Sequence, residues 1–418
     1  MEIPGVPACL LAALVAAAQG QRLALVGGAV RDLLLHRRHS DPWRGLPDLD
    51  LVLEGRAGDL VEPLRRELSA TVGASVPMTA RAHGRFGTVE LQLQLPDALG
   101  GTWLLDLASA RQENYPIPAE NPQITPASLE QDLSRRDFTV NAMALELTGG
   151  SLVEARLLDP HGGQHDLARR QLRFLHGHSL RDDPTRLVRA ARYASRLDFE
   201  LAPDSLAQVR TTLASWPWKL YYRGTRAPQA LGTRLRMELQ ALLCHETWHQ
   251  ALKKLHRWGG LVLLDPNLDS DGSWIGRLHW RKRIDLPLLL CLVACSSHPS
   301  ELAKRLQLPD VQQHWLMEMQ ILMCQLNGTL LLQTPAGWCE MLENTVSSSK
   351  VVGLAIVAGA QPRKFLLRWL FKWRHVKSQV TAKDLIDQGW EPGPALGQEL
   401  KRLRYIFLDQ AINVSSKD

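Results

Sequence analysis

Two kinds of hydrophobic periodicity, one typical of strands and one typical of helices, occur in the first part of the chain. Leu23–Val26 is a short apolar run that ends at a pair of glycines, and Ala29–Leu35 has apolar positions at helical spacing. Alternation of apolar and polar side chains predicts further strands at 85–93, 103–107 and 142–147. Residues 1 to about 150 are therefore expected to form a mixed β-sheet with helices.

Beyond roughly Gln164 the alternation gives way to helical spacing. Apolar residues recur three or four positions apart through 181–199, 233–258, 286–294 and 313–325. The pattern predicts an α+β domain with a mixed β-sheet, followed by all-α domains. Clusters of Pro, Gly and Asp place the clearest breaks near Trp216, Pro266 and Gln361.

The glycine pair between the first strand and the first helix resembles a phosphate-binding turn. Glycines at such a turn allow backbone N–H groups to approach a phosphate, and the helix N-terminus adds favourable partial charge. Arg31, in the first turn of the helix after Gly28, can reach the same anion. We therefore treat Gly28 and Arg31 as candidate phosphate ligands.

Asp48–Leu53 alternates polar and apolar side chains. The two-residue period of a strand places Asp48 and Asp50 on one face, with Leu49 and Leu51 buried behind them. Two carboxylates on one face repel each other unless a cation lies between them, and oxygen-only ligands suit Mg²⁺. A dinucleotide fold and an ordinary solvated strand face are alternatives, although the turn lacks the G-x-G-x-x-G spacing of the former.

A second polar cluster surrounds the apolar segment at 138–144, which we expect to be a strand. Arg135 and Arg136 are suited to bidentate phosphate binding, and Asp137 and Asn141 are spaced to hydrogen-bond two edges of a sugar. A structural salt-bridge network is the alternative for these residues.

A third cluster opens a predicted helix at Asp183-Pro184. Arg186, Arg189 and Arg192 recur every three residues and so share one face of that helix. Asp183 and Arg186 can present a fixed acceptor and donor edge to a ligand. Taken alone, the stretch is equally typical of an exposed, ion-paired helix face.

Composition narrows the class of protein only moderately. A length of 418 residues predicts two to four domains, and a net charge of +6 suits a polyanionic partner only where basic residues cluster. Six cysteines without a C-x-x-C pair disfavour a zinc ribbon or a disulfide framework and favour a cytoplasmic location. Residues 6–18 are expected to form a helix rather than a secretory signal, and no segment is long enough to span a membrane.

In this order, the motifs resemble those of the class II tRNA nucleotidyltransferases, the family of CCA-adding enzymes and bacterial poly(A) polymerases. The matching segments are GGAVRD with the downstream DLD, RRDFTVNAMA, DPHGG, DDPTRLVRAARYASRL and TRLRMEL. They cover roughly the first 265 residues. A weaker match, KDLIDQGWEPGPALGQEL, lies near the C-terminus.

The resemblance implies a nucleotidyltransferase head at 1–160, a helical neck at 161–265, and a body and tail at 266–418. It implies that Asp48 and Asp50 are catalytic and bind Mg²⁺, with Asp106 preferred to Glu90 as a third carboxylate. The nucleotide-binding residues would fall into three groups: Gly28, Arg31 and Arg136 at the triphosphate; Asp137 and Asn141 at the ribose; and Asp183, Arg186, Arg189 and Arg192 at the base.

The implied activity is the addition of CCA to the tRNA 3′ end from CTP and ATP. Alternatives remain open: addition of CC only, addition of A only, polyadenylation, and an inactive RNA-binding relative. The family carries a flexible loop tied to the switch from C to A addition where this chain has a compact, proline-rich segment at 111–135. The base-reading motif also begins with Asp182 where the family usually has Glu. Nothing in these motifs predicts an oligomeric state.

Three other patterns compete for attention. Residues 245–249 match the H-E-x-x-H zinc-protease pattern, which we regard as a chance match. Residues 267–272 imitate a calcium loop but lack its final glutamate. The basic and aromatic segment 363–377, together with Lys401, Arg402 and Arg404, predicts either a buried aromatic face with a solvated basic side or an RNA-backbone surface.

Overall fold

A computed structural model describes residues 3–46, 48–84, 87–149, 154–216, 218, 227–244, 247–328 and 334–415. The chain divides into two compact units, Met1–Ser215 and Trp216–Asp418. Their boundary coincides with the predicted break near Trp216, whereas the predicted limits at residues 160 and 265 stay predictions. Arg85 and Phe86 of the predicted third strand, and His245 and Glu246 of the H-E-x-x-H pattern, lie outside the described residues.

The first unit combines strands and helices, as its two hydrophobic periods predict. Its strands are β1 (Leu23–Val26), β2 (Leu49–Leu53), β3 (Met78–His83), β4 (Thr88–Gln94), β5 (Thr102–Ser109), β6 (Arg111–Asn114), β7 (Gln123–Pro126), β8 (Ala144–Thr148), β9 (Glu154–Leu158), β10 (Gln171–Leu172) and β11 (Glu200–Leu201). Its α-helices are α1 (Ala8–Ala17), α2 (Gly28–His39), α3 (Val61–Val72), α4 (Leu129–Ser134), α5 (Gly163–Ala168), α6 (Ser179–Asp182), α7 (Thr185–Leu197) and α8 (Pro203–Ala214).

One mixed sheet organises the first unit. Its strand order is β3, β4, β5, β2, β1, β8, β9. The β2 and β5 strands pair in parallel, whereas the other neighbours pair antiparallel. A separate antiparallel hairpin joins β6 to β7. The predicted mixed β-sheet is confirmed.

Alternation along β2 divides its side chains between two faces of the sheet. Leu49, Leu51 and Leu53 are buried on one face. On the other face, Val52 belongs to an apolar cluster that includes Leu129 and Leu133 of α4, while Asp50 is only half-buried. The same face therefore changes from apolar beneath α4 to acidic at the start of β2.

Arg22, directly before β1, ties four segments of the first unit together. Its guanidinium lies 2.8 Å from Glu54 after β2, 2.9 Å from Glu130 on α4 and 2.5 Å from Glu146 on β8. Because the arginine is partly buried and bonds three carboxylates at once, this network contributes more than an isolated surface ion pair. It fixes α4 against the sheet at the end of β2 that lies opposite its acidic end.

One expectation for the region after Gln164 is wrong. The segment is not purely helical, because β10 and β11 form a short parallel pair in which Leu172 lies opposite Leu201. Each strand has two residues, which is too short for apolar alternation to be visible in the sequence. The remaining elements of this region are helical, as predicted.

The described part of the second unit is helical. Its helices are α9 (Gln229–Cys244), α10 (Trp248–Arg257), α11 (Pro266–Ser270), α12 (Trp274–Arg277), α13 (Arg281–Ile284), α14 (Leu288–Ala294), α15 (Pro299–Arg305), α16 (Asp310–Gly328), α17 (Pro335–Thr345), α18 (Ser349–Ala358), α19 (Arg363–Phe371), α20 (Ala382–Asp387) and α21 (Pro394–Ser415). Among the residues described, no helix combines the length and apolar composition that a bilayer span requires.

The basic and aromatic segment at 363–377 contributes to the core of the second unit. Trp369 and Trp373 are buried. The Phe365 ring stacks on Trp338 with its centroid 5.2 Å away, and the Arg363 guanidinium lies 4.5 Å from the centroid of the Trp280 ring. The expected buried aromatic face is present, and a role of its basic side in binding RNA stays a prediction.

The close approach of α9 to the end of α15 generates a stability prediction. A Cβ atom at Gly232 would overlap the backbone carbonyl oxygen of Arg305, so Gly232→Ala is expected to lower the free energy of unfolding by roughly 2–4 kcal/mol. Denaturant titration measures this change. The control is Gly276→Ala in α12, where a Cβ atom would meet no atom within 4 Å. Equal stability of the two variants would contradict the packing described here.

Candidate active site

Three carboxylates converge at the acidic end of β2. Asp48 directly precedes the strand and Asp50 lies within it, while Asp106 is the residue of β5 paired with Asp50. One oxygen atom from each of the three lies within 4.8 Å of the other two. The structure thus brings together the two predicted metal ligands and the preferred third carboxylate.

Glu90, the less favoured candidate, lies on β4 opposite Asp106. Its carboxylate approaches His83 Nε2 at 3.4 Å, and it does not belong to the group of three among the described residues. Glu90 therefore borders the acidic group rather than completing it.

Neighbouring carboxylates destabilise the charged forms of Asp50 and Asp106. Burial, together with the neighbouring Asp48 carboxylate, raises the pKa of Asp50 to about 6, although Arg136 opposes this shift. Burial and Asp48 also raise the pKa of Asp106 above its usual value. Both shifts have the sign expected for acids that share a partly desolvated site. A cation bound between the carboxylates would oppose both shifts.

The donor set fits a hard divalent cation. All three side chains offer oxygen. Asp50 and Asp106 line a cleft of about 330 Å³ that Arg136 also lines. Mg²⁺ is commonly held by one or two carboxylates together with substrate phosphates, which leaves open positions for a nucleotide. Asp48, Asp50 and Asp106 would hold such an ion.

Gly27, which sequence reasoning passed over in favour of Gly28, occupies the special position of the glycine turn. Its φ of 69° and ψ of −132° place it in a region that side chains disfavour. A Cβ atom there would lie 3.2 Å from Arg136 Nη1 and 3.7 Å from Asp50 Oδ2. Gly28 is the first residue of α2. The signal available in the sequence was the glycine pair itself.

Arg136 is placed where a phosphate ligand is expected. Its Nη2 donates to Asp132 Oδ2 at 3.1 Å, and the residue lines the same cleft as Asp50 and Asp106. Its Nε is buried and has no hydrogen-bond partner among the described residues. A buried donor without a partner is costly, and an anion in the cleft would relieve that cost.

Arg31 has different surroundings from those expected of a phosphate ligand. It is only 1% exposed, and its guanidinium donates to both carboxylate oxygens of Asp32, at 2.8 and 3.0 Å. Nη1 also donates to Asn141 Oδ1 at 2.8 Å, and the Tyr193 ring centroid lies 5.3 Å from the guanidinium carbon. The side chain lies directly behind Gly28, so it supports the turn. Its predicted contact with a triphosphate stays a prediction.

The predicted ribose ligands continue this buried network. Asn141 Nδ2 donates to Asp137 Oδ1 at 3.1 Å, and Arg189 Nη1 donates to Asp137 Oδ2 at 3.2 Å. A hydrogen-bonded chain therefore runs from Arg31 on α2 to Arg189 on α7. The expected apolar strand is wrong here, because Thr139–Asn141 forms a 3₁₀ turn. That turn brings the side chain of Asn141 back to Asp137.

The base-reading candidates lie at the start of α7. Asp183 Oδ1 accepts from the backbone N–H and the hydroxyl of Thr185, at 3.1 and 2.6 Å. Arg186 is only 4% exposed, so an exposed helix face is the wrong description for it. Its Nη2 donates to the backbone carbonyl of Arg135 at 3.0 Å, whereas its Nη1 is buried without a partner among the described residues.

The remaining candidate, Arg192, is half-buried. Its guanidinium carbon lies 5.2 Å from the Tyr193 ring centroid. Arg186 lines a second cavity, of about 310 Å³.

Residues 23–173 match the family model described as the poly A polymerase head domain.

The chain is similar over nearly its whole length to a known relative. A CC-adding tRNA nucleotidyltransferase of Synechocystis sp. is 36% identical, and the match covers 93% of this chain and 90% of that protein. The chain belongs to the class II tRNA nucleotidyltransferase family. The resemblance stated from the motifs is confirmed.

Other members of the tRNA nucleotidyltransferase family match less completely. A CC-adding enzyme of Deinococcus radiodurans is 42% identical over 58% of this chain, and the chain spans about half of that protein, 55% of its length. Relatives named A-adding tRNA nucleotidyltransferases match as well. A solved CCA-adding enzyme in an apo form has a TM-score of 0.69 at 22% identity, covering 97% of this chain and 93% of that one. This last likeness shows the fold.

The crowding of the carboxylates predicts a pH-dependent gain in stability on substitution. Because its folded-state pKa is raised, ionised Asp50 destabilises the metal-free protein above about pH 6, and this cost disappears below about pH 4. Asp50→Asn is therefore expected to be more stable than the unsubstituted protein by roughly 1–3 kcal/mol at pH 8 with a chelator present, and equally stable near pH 4. Denaturant titrations at the two pH values measure the difference. Asp59→Asn, at an exposed position, is the control, and equal gains for both variants would refute the explanation.

The geometry of Gly27 predicts that alanine is poorly tolerated there. Gly27→Ala is expected to lower the free energy of unfolding by about 1–3 kcal/mol, because its backbone angles are unfavourable for alanine. It is also expected to weaken nucleotide binding by shifting Arg136, whose Nη1 would lie 3.2 Å from the new Cβ atom. Gly28→Ala is the control, since its Cβ atom would meet Arg31 Nη2 at an ordinary 3.4 Å. Calorimetry gives both quantities. Identical behaviour of the two variants would contradict the assignment of Gly27.

Proposed function

We propose that this protein extends the 3′ end of tRNA by metal-dependent nucleotidyl transfer, and that it adds cytidylates from CTP as a CC-adding enzyme. The acidic group of Asp48, Asp50 and Asp106 is the observation that carries the chemistry, since its three ligand atoms lie within 4.8 Å of one another. The near full-length relative, named a CC-adding enzyme, supports cytidylate as the nucleotide.

The proposed reaction joins an RNA 3′-hydroxyl to the α-phosphorus of the incoming nucleotide. The hydroxyl oxygen forms the new bond and releases its proton to solvent, while the bond to the pyrophosphate oxygen breaks and pyrophosphate leaves. Mg²⁺ held by the three carboxylates would stabilise the charge that develops on the transferring phosphoryl group. The roles of Asp48 and Asp50 as catalytic residues, and of Mg²⁺ as their ion, belong to this proposal.

The neighbouring residues supply the binding site for the nucleotide. The glycine turn and Arg136 would bind the triphosphate, with Arg31 supporting the turn from behind. Asp137 and Asn141, held by Arg189, would face the ribose. Asp183 and Arg186 would pair with the edge of the base, with Arg192 beside them, so that protein groups take the place of a template.

The segment between β5 and α4 supports addition of CC rather than CCA. Ala119 in this segment donates its backbone N–H to the carbonyl of Asp182 at 3.1 Å, and Glu113 on β6 bonds Arg135 at 3.0 Å. A segment tied at both points opposes the rearrangement that a switch from C to A addition requires. Full CCA addition, which the motifs alone favour, is the second candidate.

The tRNA partner is proposed from family membership and charge. A net charge of +6 and the basic side of segment 363–377 suit a phosphate backbone, whose contacts are expected to weaken steeply with salt. The division into head (1–160), neck (161–265), and body and tail (266–418) belongs to the same proposal. A cytoplasmic location fits the six free cysteines.

The test uses purified protein and tRNAs that end before CCA, after C or after CC. With Mg²⁺ and labelled nucleotides supplied one at a time, we expect two cytidylates on the first substrate, one on the second, and none on the third from either CTP or ATP. Asp50→Asn is expected to lower kcat by at least about 10³-fold, because it removes a metal ligand, whereas Asp59→Asn leaves it unchanged. Primer-extension gels resolve each product.

The other outcomes of this assay identify the alternatives. Adenylate added after CC would favour a CCA-adding or A-adding enzyme, and long A tracts a poly(A) polymerase. No incorporation by the unsubstituted protein, despite binding of tRNA, would favour the inactive relative. Undiminished activity of Asp50→Asn would overturn the catalytic assignment.

A further inference from the structure

Glu113, on the β6–β7 hairpin, is a carboxylate outside the acidic group. It accepts hydrogen bonds from several side chains. Its side chain is 9% exposed. One of its oxygens accepts from Arg111 Nε and Nη2, at 3.0 and 2.9 Å, and from Arg135 Nη1 at 3.0 Å. Its other oxygen accepts from the Tyr115 hydroxyl at 3.1 Å. A largely buried carboxylate with this many partners holds them in one arrangement.

Arg135 is fixed by these contacts rather than available to a ligand. Besides Glu113, its guanidinium bonds Asp132 Oδ1 through Nε at 2.9 Å and Nη2 at 2.7 Å. Its Nε also lies 3.2 Å from the backbone carbonyl of Arg111. Contacts on both sides of the planar guanidinium fix its orientation, and with it the path of the backbone at this residue.

The backbone at Arg135 is what holds Arg186. The Arg135 carbonyl accepts from Arg186 Nη2 at 3.0 Å, which leaves Nη1 as the donor that has no partner among the described residues. Glu113, Tyr115, Arg135 and Arg186 all line the cavity of about 310 Å³. The hairpin and the base-reading arginine are therefore walls of one cavity.

Cytosine and adenine differ less in the hydrogen-bonding pattern of their Watson–Crick edges than in the distance of those edges from the sugar. Cytosine and adenine each present an amino donor beside a ring-nitrogen acceptor on the Watson–Crick edge. The purine places that edge farther from the sugar, so a site that accepts both must let its reading side chain move. An arginine whose guanidinium is hydrogen-bonded to a fixed carbonyl can meet a base edge at only one distance from the sugar.

We propose that Glu113 is a positioning residue that fixes Arg186, through Arg135, at the reach that selects cytosine over adenine. This inference rests on the proposed function, because it concerns the choice of nucleotide in the same reaction. Glu113 contacts neither substrate nor metal in this proposal. It acts through the carbonyl that binds Arg186.

The decisive variant is Glu113→Gln, which keeps the size of the side chain and removes its charge. We expect the ratio of kcat/KM for CTP to that for ATP to fall by at least about tenfold, through a raised KM for CTP and newly measurable ATP incorporation. Glu67→Gln, at an exposed position on α3, is the matched control and is expected to keep the original ratio. A purely structural role of Glu113 would lower kcat/KM for both nucleotides alike.

A milder variant guards against unfolding of Glu113→Gln. Tyr115→Phe removes one donor to Glu113 and is expected to shift the ratio in the same direction by a smaller factor. The inference is overturned if the unsubstituted protein adds CMP and both folded variants keep its CTP-to-ATP ratio. Absence of any nucleotide incorporation by the unsubstituted protein would instead contradict the proposed function, so the two failures are distinct.

Discussion

The parallel pairing of β2 with β5 is the constraint on which the candidate active site depends. Side chains of paired residues in neighbouring strands point to the same face of a sheet, so this register brings Asp106 beside Asp50. The apolar cluster of Val52 with α4 then stabilises an arrangement whose acidic end is unfavourable by itself. Arg22 adds ion pairs that hold α4, β2 and β8 in place. Burial of apolar side chains elsewhere in the sheet thus offsets the repulsion between the carboxylates at the site.

The arginines near this acidic end have two different roles. Arg136 lines the cleft, and its buried Nε has no hydrogen-bond partner in the part of the chain that the structure describes. Arg31, Arg135 and Arg189 instead spend their donors on protein acceptors. These three arginines keep the turn, the 3₁₀ segment and α7 in fixed relation. Arg136 is therefore already in position when a ligand binds. Organising the site before the ligand arrives reduces the entropy lost on binding.

Much of this arrangement could be predicted from the sequence because it depends on short periods. Alternation placed Asp48 and Asp50 on one face with Leu49 and Leu51 behind them, and the structure has this arrangement. The family resemblance favours Asp106 over Glu90 as the third carboxylate, and the register of β2 with β5 places Asp106 beside Asp50. Contacts between distant segments were harder, because periodicity says nothing about which strands pair. The burial of Arg31 and Arg186 depends on such contacts, and no local pattern signals it.

The bond between Arg186 and residue 135 has a consequence for how specificity can be traced through evolution. Its acceptor is a main-chain oxygen, which every amino acid carries, so an alignment column at 135 says little about whether the anchor exists. In our proposal the anchor depends on the path of the chain, which is set by residues such as Glu113 that lie more than twenty positions away. On this proposal, relatives with the same motif residues can differ in the nucleotide that they accept.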